Sequence, residues 1–154
     1  MKVFLINILS LAMVLSWNHP AAGQTDSNTP VSQLVHAAGN GDTAAVQQLL
    51  AEGANIEAKD NDGCTALIEA AIFNNSETVK LLLAKGANIE AKANNGYTAL
   101  IWAAYKDNTG VVKLLLDKGA NIEARDNDGW TALKWATATG NTETVKLLMS
   151  KGAH

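Results

Sequence analysis

Seven-residue strings recur along this chain at one fixed interval, and this recurrence constrains the fold more than any other feature. The strings NDGCTAL, NNGYTAL and NDGWTAL begin at Asn61, Asn94 and Asn127, each 33 residues after the last. The strings EGANIEA, KGANIEA and KGANIEA begin at Glu52, Lys85 and Lys118, again 33 residues apart. A period of this length is typical of a stacked architecture in which each unit contacts only its neighbours.

Apolar residues recur in the same register and predict helices. Val79, Leu82 and Leu83 are spaced i, i+3, i+4, which places them on one face of a helix. Residues of the same type recur 33 positions apart and form four columns. These are Leu34, Leu67, Leu100 and Leu133; Val46, Val79, Val112 and Val145; Leu49, Leu82, Leu115 and Leu148; and the small residues Ala37, Ala70, Ala103 and Ala136. A short helix cannot bury such a face inside its own unit, so the pattern predicts a solenoid.

Capping and turn residues recur at the boundaries of each unit. We expect the first helix to be capped at its N-terminus by Ser32, Thr65, Thr98 and Thr131. That helix is predicted to end at Gly41, Asn74, Asp107 and Gly140, residue types that tolerate the left-handed conformation. We expect Asp42, Asn75, Asn108 and Asn141 to cap the second helix, and Gly53, Gly86, Gly119 and Gly152 to end it. The extended segment that follows is predicted to bury Ile56, Ile89 and Ile122.

This pattern resembles the ankyrin repeat family. The resemblance rests on T-A-L at the first helix, an Ala-Ala pair, V-K-L-L-L on the second helix and G-A-N after it. It implies an all-α solenoid of stacked helix–turn–helix units with β-hairpin-like loops. It divides a domain at 31–154 into four repeats, the first partial, at about 31–59, 60–92, 93–125 and 126–154. Ala66 and Ile68 replace the Pro and His of the family's T-P-L-H motif, so its Thr–His hydrogen bond cannot form.

The N-terminal residues predict export. Lys2 precedes a run, Val3 to Leu15, that only two polar residues interrupt. This run has the length of a secretory hydrophobic region and is too short to span a bilayer. Ala21 and Gly23 fit the −3 and −1 positions of a cleavage site, which predicts a signal peptide at 1–23 and a flexible leader at 24–30. We expect a periplasmic or secreted protein without stable membrane insertion; an uncleaved membrane anchor is the alternative.

Few residues offer catalytic or metal-binding chemistry. The single cysteine, Cys64, excludes an intramolecular disulfide, and we expect it to be a surface thiol without an adjacent base. Asp60, Asp62, Asp126 and Asp128 match the opening of a calcium loop, but the rest of that loop is missing and these residue types favour turns. The columns Glu57, Glu90, Glu123 and Lys59, Lys92, Arg125 are typical of a solvated face. We therefore expect no enzymatic activity, no cofactor and no metal.

The resemblance implies binding of another protein through a concave face formed by the hairpin tips and the ends of the first helices. The candidate partner-binding residues are Asp62, Phe73, Asn95, Tyr97, Tyr105, Asp128 and Trp130. Tyr97 and Trp130 occupy equivalent positions, so we expect them side by side. Trp102 and Trp135 are expected to pack between repeats instead.

The charge pattern bears on the kind of partner. Acidic neighbours around an aromatic strip favour a protein with basic and apolar groups, and the net charge of −3 argues against a nucleic-acid ligand. Two alternatives stay open. One is a self-assembling structural unit with weak self-association, since the final repeat is as apolar as the interior ones. The other is an accessory domain to an enzyme in the periplasm.

Overall fold

The computed structural model describes residues 29–154, and these residues form four consecutive helix pairs. The helices are α1 (Pro30–Gly39), α2 (Thr43–Ala51), α3 (Ala66–Ile72), α4 (Ser76–Ala84), α5 (Ala99–Tyr105), α6 (Thr109–Asp117), α7 (Ala132–Ala138) and α8 (Thr142–Ser150). The predicted signal peptide at 1–23 and all but the last two residues of the predicted leader lie outside the described residues. Pro30, the last residue of the predicted leader, is the first residue of α1.

The helices lie in two rows, and each row is one side of a solenoid. The first helices of the pairs pack in the order α1, α3, α5, α7, and the second helices pack in the order α2, α4, α6, α8. Each first helix also packs on the second helix of its own pair. The predicted all-α solenoid is confirmed. Between residues 29 and 154 no helix has both the length and the apolar character that crossing a membrane requires.

The loops between pairs turn like hairpins, although the described residues contain no β-strand. In the first such loop, the backbone N–H of Asp60 donates to the carbonyl of Cys64 at 3.1 Å, and that of Gly63 donates to the carbonyl of Asp60 at 3.0 Å. Gly63 has φ = 75°, and a methyl group there would collide with Asn94 of the next turn. Glycine is therefore required by both conformation and close approach.

Threonine side chains cap three of the first helices. The Oγ1 atoms of Thr65, Thr98 and Thr131 accept hydrogen bonds from the backbone N–H three residues later, at 3.3–3.4 Å, as predicted. The predicted cap at Ser32 is wrong, because α1 begins at Pro30 and Ser32 lies inside the helix. Proline is favoured at a helix start because it has no N–H group to leave unpaired there.

Asparagine side chains connect successive units instead of capping the second helices. Asp42 does cap α2, through a 2.9 Å bond from the N–H of Ala45. Asn75, Asn108 and Asn141 make no such bond. Each amide instead donates to two carbonyls of the preceding pair: Asn75 to Ala38 and Gly39, Asn108 to Ala71 and Ile72, and Asn141 to Ala104 and Tyr105, at 2.7–3.1 Å. The capping prediction is therefore wrong for these three residues.

The core is continuous through the stack and thins at the C-terminal pair. The columns predicted from the period are almost fully buried at Leu34, Leu67, Leu100, Val46, Val79, Val112, Leu82, Leu115 and Leu148. Leu133 and Val145 are only partly buried, and the side chain of Met149 is 61 % exposed. Ile56, Ile89 and Ile122 are also only partly buried, contrary to prediction, because they lie in loops at the edge of the stack.

The stack predicts different costs for the same truncation at equivalent positions. Leu100→Ala should lower the free energy of unfolding by roughly 2–5 kcal/mol, because it empties a fully enclosed site. Leu133→Ala should cost clearly less, because solvent already reaches that side chain. Urea denaturation of both variants measures the difference. Equal losses of unfolding free energy would contradict a stack in which the core is more exposed at α7 than at α5.

Candidate functional site

Five aromatic side chains contact one another along the turns and first helices of the last two pairs. We call Tyr97, Trp102, Tyr105, Trp130 and Trp135 the aromatic cluster. Its ring centroids lie 4.8 Å apart for Tyr97–Trp102, 5.4 Å for Tyr97–Trp135, 5.9 Å for Trp102–Tyr105, 5.5 Å for Tyr105–Trp135 and 4.6 Å for Trp130–Trp135. Tilted and edge-to-face pairs at these distances are favourable, so the cluster is a cohesive surface.

Trp135 is the centre of this cluster, and the sequence prediction did not include it in the site. Its ring contacts both Tyr97 and Trp130, so it links the two equivalent residues that were expected side by side. It also contacts Tyr105 of the preceding pair, which agrees with the prediction that it packs between repeats. Trp102 and Trp135 each follow a turn aromatic by five residues, and that spacing is the signal that could have placed them in the cluster.

Asp126 holds this centre in place. Its carboxylate is buried, and Oδ1 accepts hydrogen bonds from the backbone N–H of Asp128 at 2.9 Å and of Trp130 at 2.8 Å. Its Oδ2 accepts the indole N–H of Trp135 at 2.7 Å. The turn role predicted for Asp126 is confirmed, and the same carboxylate also orients an aromatic ring. Burial, and secondarily the charge of Asp126, raises the pKa of the Tyr97 phenol, which stays protonated at neutral pH.

The other predicted site residues lie around the cluster. Trp130 is 36 % exposed, whereas Tyr97 and Tyr105 are half-buried. Phe73 is 60 % exposed at the end of α3 and packs near Gly39, apart from the five rings. Asp62, Asn95 and Asp128 are exposed at the tips of successive turns. The structure thus brings Tyr97, Tyr105 and Trp130 together, and it leaves Phe73 as a separate apolar point.

Cys64 is buried, so the prediction of a surface thiol is wrong. The thiol, a carboxylate oxygen of Asp60 and one of Glu69 all lie within 4.8 Å of one another, close enough to hold a metal ion. Burial, followed by the charges of Asp60 and Glu69, raises the pKa of Cys64 to about 12. Burial and Asp60 also raise the pKa of the Glu69 carboxyl.

These shifts decide what the three groups can do. A thiol with so high a pKa stays protonated at neutral pH, and only the thiolate is a good nucleophile. Asp60 already accepts the backbone N–H groups of Asp62 and Cys64 through Oδ1, both at 2.9 Å. The arrangement therefore favours a neutral, buried thiol over a catalytic one, and the carboxylate of Asp60 holds the turn.

The family model for ankyrin repeats (three copies) matches residues 6–93 and 89–154. The first match begins inside the segment predicted to be a signal peptide and continues through the first two helix pairs. The second match covers the segment that carries the aromatic cluster. No curated protein matches the chain.

The buried thiol predicts slow alkylation. Raising the pKa of Cys64 from 9.0 to about 12 lowers the thiolate fraction at pH 8 about a thousandfold, and burial hinders access further. Iodoacetamide should modify the folded protein at least a hundredfold more slowly than the protein unfolded in urea, as followed by mass spectrometry. Glu69→Gln should speed the folded reaction by removing one of the negative charges. Similar rates in the folded and unfolded protein would contradict the assignment.

Proposed function

The chain belongs to the ankyrin repeat family, and from this premise we propose that it binds another protein through the aromatic cluster and the exposed residues around it. Ankyrin repeats are protein–protein interaction modules. Membership of the family does not identify the residues that contact the partner, so we assign them from the side chains that this chain exposes. The binding surface, as proposed, consists of the aromatic cluster, Phe73 and the turn tips Asp62, Asn95 and Asp128.

The observation that carries this proposal is the cohesion of the aromatic cluster together with the exposure of Trp130 within it and of Phe73 outside it. Trp130 is 36 % exposed and Phe73 is 60 % exposed, although each could bury more apolar area than most other side chains. Tyrosine and tryptophan dominate binding hot spots because they bring large area with few rotatable bonds. Asp126 fixes Trp135 beneath Trp130, so little side-chain entropy is lost when a partner covers them.

The polar residues around the cluster support a partner with basic and apolar groups. Asp62 and Asp128 are exposed at turn tips, and Asp126 lies beneath the rings. The carboxylates attract lysine and arginine to the turn tips, whereas Lys106, with its Nζ 5.5 Å from the centroid of the Tyr105 ring, is a positive charge at the end of α5. A guanidinium group would also stack favourably on the exposed face of Trp130.

The same proposal includes a non-enzymatic role in an exported protein. Support for the first part is that burial and the charges of Asp60 and Glu69 raise the pKa of the one cysteine to about 12, which holds it as a neutral thiol. Support for export comes from the order of Lys2, the apolar run and the small residues Ala21 and Gly23. Either the periplasm or the extracellular medium fits that order.

The proposed surface predicts which exposed apolar residues matter for binding. The double variant Phe73→Ala with Trp130→Ala should weaken partner capture at least tenfold, about 1.4 kcal/mol. Its melting temperature should fall somewhat, because Trp130 packs on Trp135, so the affinity is measured well below the unfolding transition, where the variant is folded. Proteins captured from the native compartment by the wild-type chain are identified by mass spectrometry, and the affinity of each variant for the purified partner is then measured.

Met149→Ala provides the matched control. Met149 is 61 % exposed but lies on α8, in the row of second helices away from the aromatic cluster. This variant should capture the partner as well as the wild type does. Loss of capture with Met149→Ala, and normal capture by the double variant, would place the binding surface elsewhere.

The export proposal predicts where the mature protein begins. Protein purified from its native host should start at Gln24, within one residue, by N-terminal sequencing. Gly23→Tyr should block processing, because the position before the cut requires a small side chain, whereas Ala22→Tyr should be processed normally. Recovery of the wild-type chain with Met1 intact would refute export through this segment.

A further inference from the structure

One turn of the stack lacks a carboxylate that its neighbours have. Asp60, Ala93 and Asp126 occupy equivalent positions 33 residues apart. Asp126 accepts the indole N–H of Trp135 at 2.7 Å. Trp102 is the counterpart of Trp135 in the preceding repeat, but the residue equivalent to Asp126 there is Ala93, which has no acceptor.

The indole nitrogen of Trp102 is left without a partner as a result. Its Nε1 atom is buried, and it is the only buried side-chain nitrogen or oxygen without a hydrogen bond in the part of the chain that the structure describes. A buried N–H group that pairs with nothing is unfavourable, and such groups are rare in folded proteins. The missing carboxylate is therefore specific to this position, because in the next repeat Asp126 accepts the equivalent indole N–H, that of Trp135.

A cavity lies at the same place. It has a volume of about 370 Å³ and lies between the first and second inter-pair loops, and its lining includes Asp62, Glu69, Ile72, Ala93, Asn95 and Trp102. This volume is in the range of sites that hold small ligands. Ala93 leaves space where a larger residue would reach toward Trp102, so the open volume and the unpaired N–H have one origin.

The polar groups of the cavity restrict what fits inside it. The indole of Trp102 and the NH₂ group of Asn95 offer donors, Glu69 and Asp62 offer acceptors, and none of the described residues that line the cavity is basic. A carboxylate would be repelled by the acidic wall. An ammonium or guanidinium group would suit the wall but would leave the indole N–H unpaired. A carboxamide has an oxygen for Trp102 and an NH₂ group for Glu69, so it can satisfy both.

We propose that this cavity binds the carboxamide side chain of a glutamine or asparagine of a protein partner. Its oxygen accepts from Trp102, its NH₂ group donates to Glu69, and its methylene carbons contact Ile72. The site adjoins the aromatic cluster, because Trp102 belongs to both. The proposal rests on the proposed protein-binding function and names one group that the partner inserts.

Ala93→Asp is the variant that tests this site most directly. It restores the residue type that orients Trp135 and should pair the indole N–H of Trp102, so that this donor is no longer free for the probe. The melting temperature should stay within a few degrees of the wild-type value, because the new hydrogen bond to Trp102 offsets repulsion from Asp62 and Glu69, whereas ligand binding should be lost. A variant that binds less without losing stability separates a binding role from a structural one.

The binding experiment uses propionamide as the probe and the indole N–H signals of the full chain as the readout. In ¹H–¹⁵N spectra, the Trp102 signal should shift saturably with millimolar affinity, as expected of so small a ligand. The Trp135 signal, already bonded to Asp126, should not move. Ala93→Asp should abolish the response, and Glu69→Ala should weaken it at least threefold. Methylguanidinium and acetate should produce no saturable shift.

Several outcomes would overturn the carboxamide site. A linear or absent response of Trp102 would mean that a ligand in the cavity does not reach its N–H group. Saturable binding of methylguanidinium in place of propionamide would identify a cation site. An unchanged response in Ala93→Asp would place the probe elsewhere.

Partner capture distinguishes failure of this site from failure of the proposed function. The Phe73→Ala/Trp130→Ala variant should lose partner affinity but still bind propionamide, whereas Ala93→Asp should lose both. If Ala93→Asp captures the purified partner normally, the partner does not use the cavity and the proposal is wrong. If the Phe73/Trp130 variant captures normally while propionamide still binds Trp102, the proposed binding surface is wrong and the carboxamide site stands.

Discussion

The stack depends on an amide that connects each helix pair to the one before it. A helix end leaves carbonyl groups without partners, and Asn75, Asn108 and Asn141 each donate to two of these carbonyls across the boundary between pairs. Apolar packing alone would tolerate sliding of one pair on the next, because a leucine column presents similar surface at neighbouring heights. Two directed hydrogen bonds per boundary fix the register, and every column position then follows from it.

Fixed register also explains why the charged columns do more than face solvent. Lys59 donates to the carbonyl of Lys92 at 2.8 Å, and Lys92 donates to that of Arg125 at 2.7 Å. Glu57 accepts the backbone N–H of Asn88 at 2.7 Å, and Glu90 does the same for Asn121. Charge-assisted bonds between a side chain and the backbone of the next repeat can form only if that repeat is at a constant offset. The sequence prediction of a solvated face was incomplete, because it considered each repeat alone.

The contacts between repeats separate the structural features that the sequence could predict from those that it could not. Properties of one repeat could be predicted: the Thr65 cap, the left-handed Asn74 at φ = 61° and the buried Leu67 all depend on residues nearby in the chain. Properties that depend on two repeats could not. Asn75 lies where a helix cap is expected, yet its amide reaches back to the preceding pair. Cys64 follows a turn, where exposure is normal, yet it is buried; Tyr97 and Trp130 are joined by a tryptophan from a different column.

The residues at the column of Asp60, Ala93 and Asp126 differ in the hydrogen bonds that their side chains make. Asp60 and Asp126 both accept backbone N–H groups of their own turns, which is a structural role that any repeat benefits from. Ala93 gives up that role, and Tyr97 instead donates its backbone N–H to Asn95. Leaving the Trp102 indole unpaired costs roughly 1–3 kcal/mol in the unbound protein. The next repeat shows the better solution, where Asp126 accepts the indole N–H of Trp135. A departure that costs stability at Trp102, beside two half-buried tyrosine rings, is therefore a physical argument that the favourable interaction is completed from outside the chain.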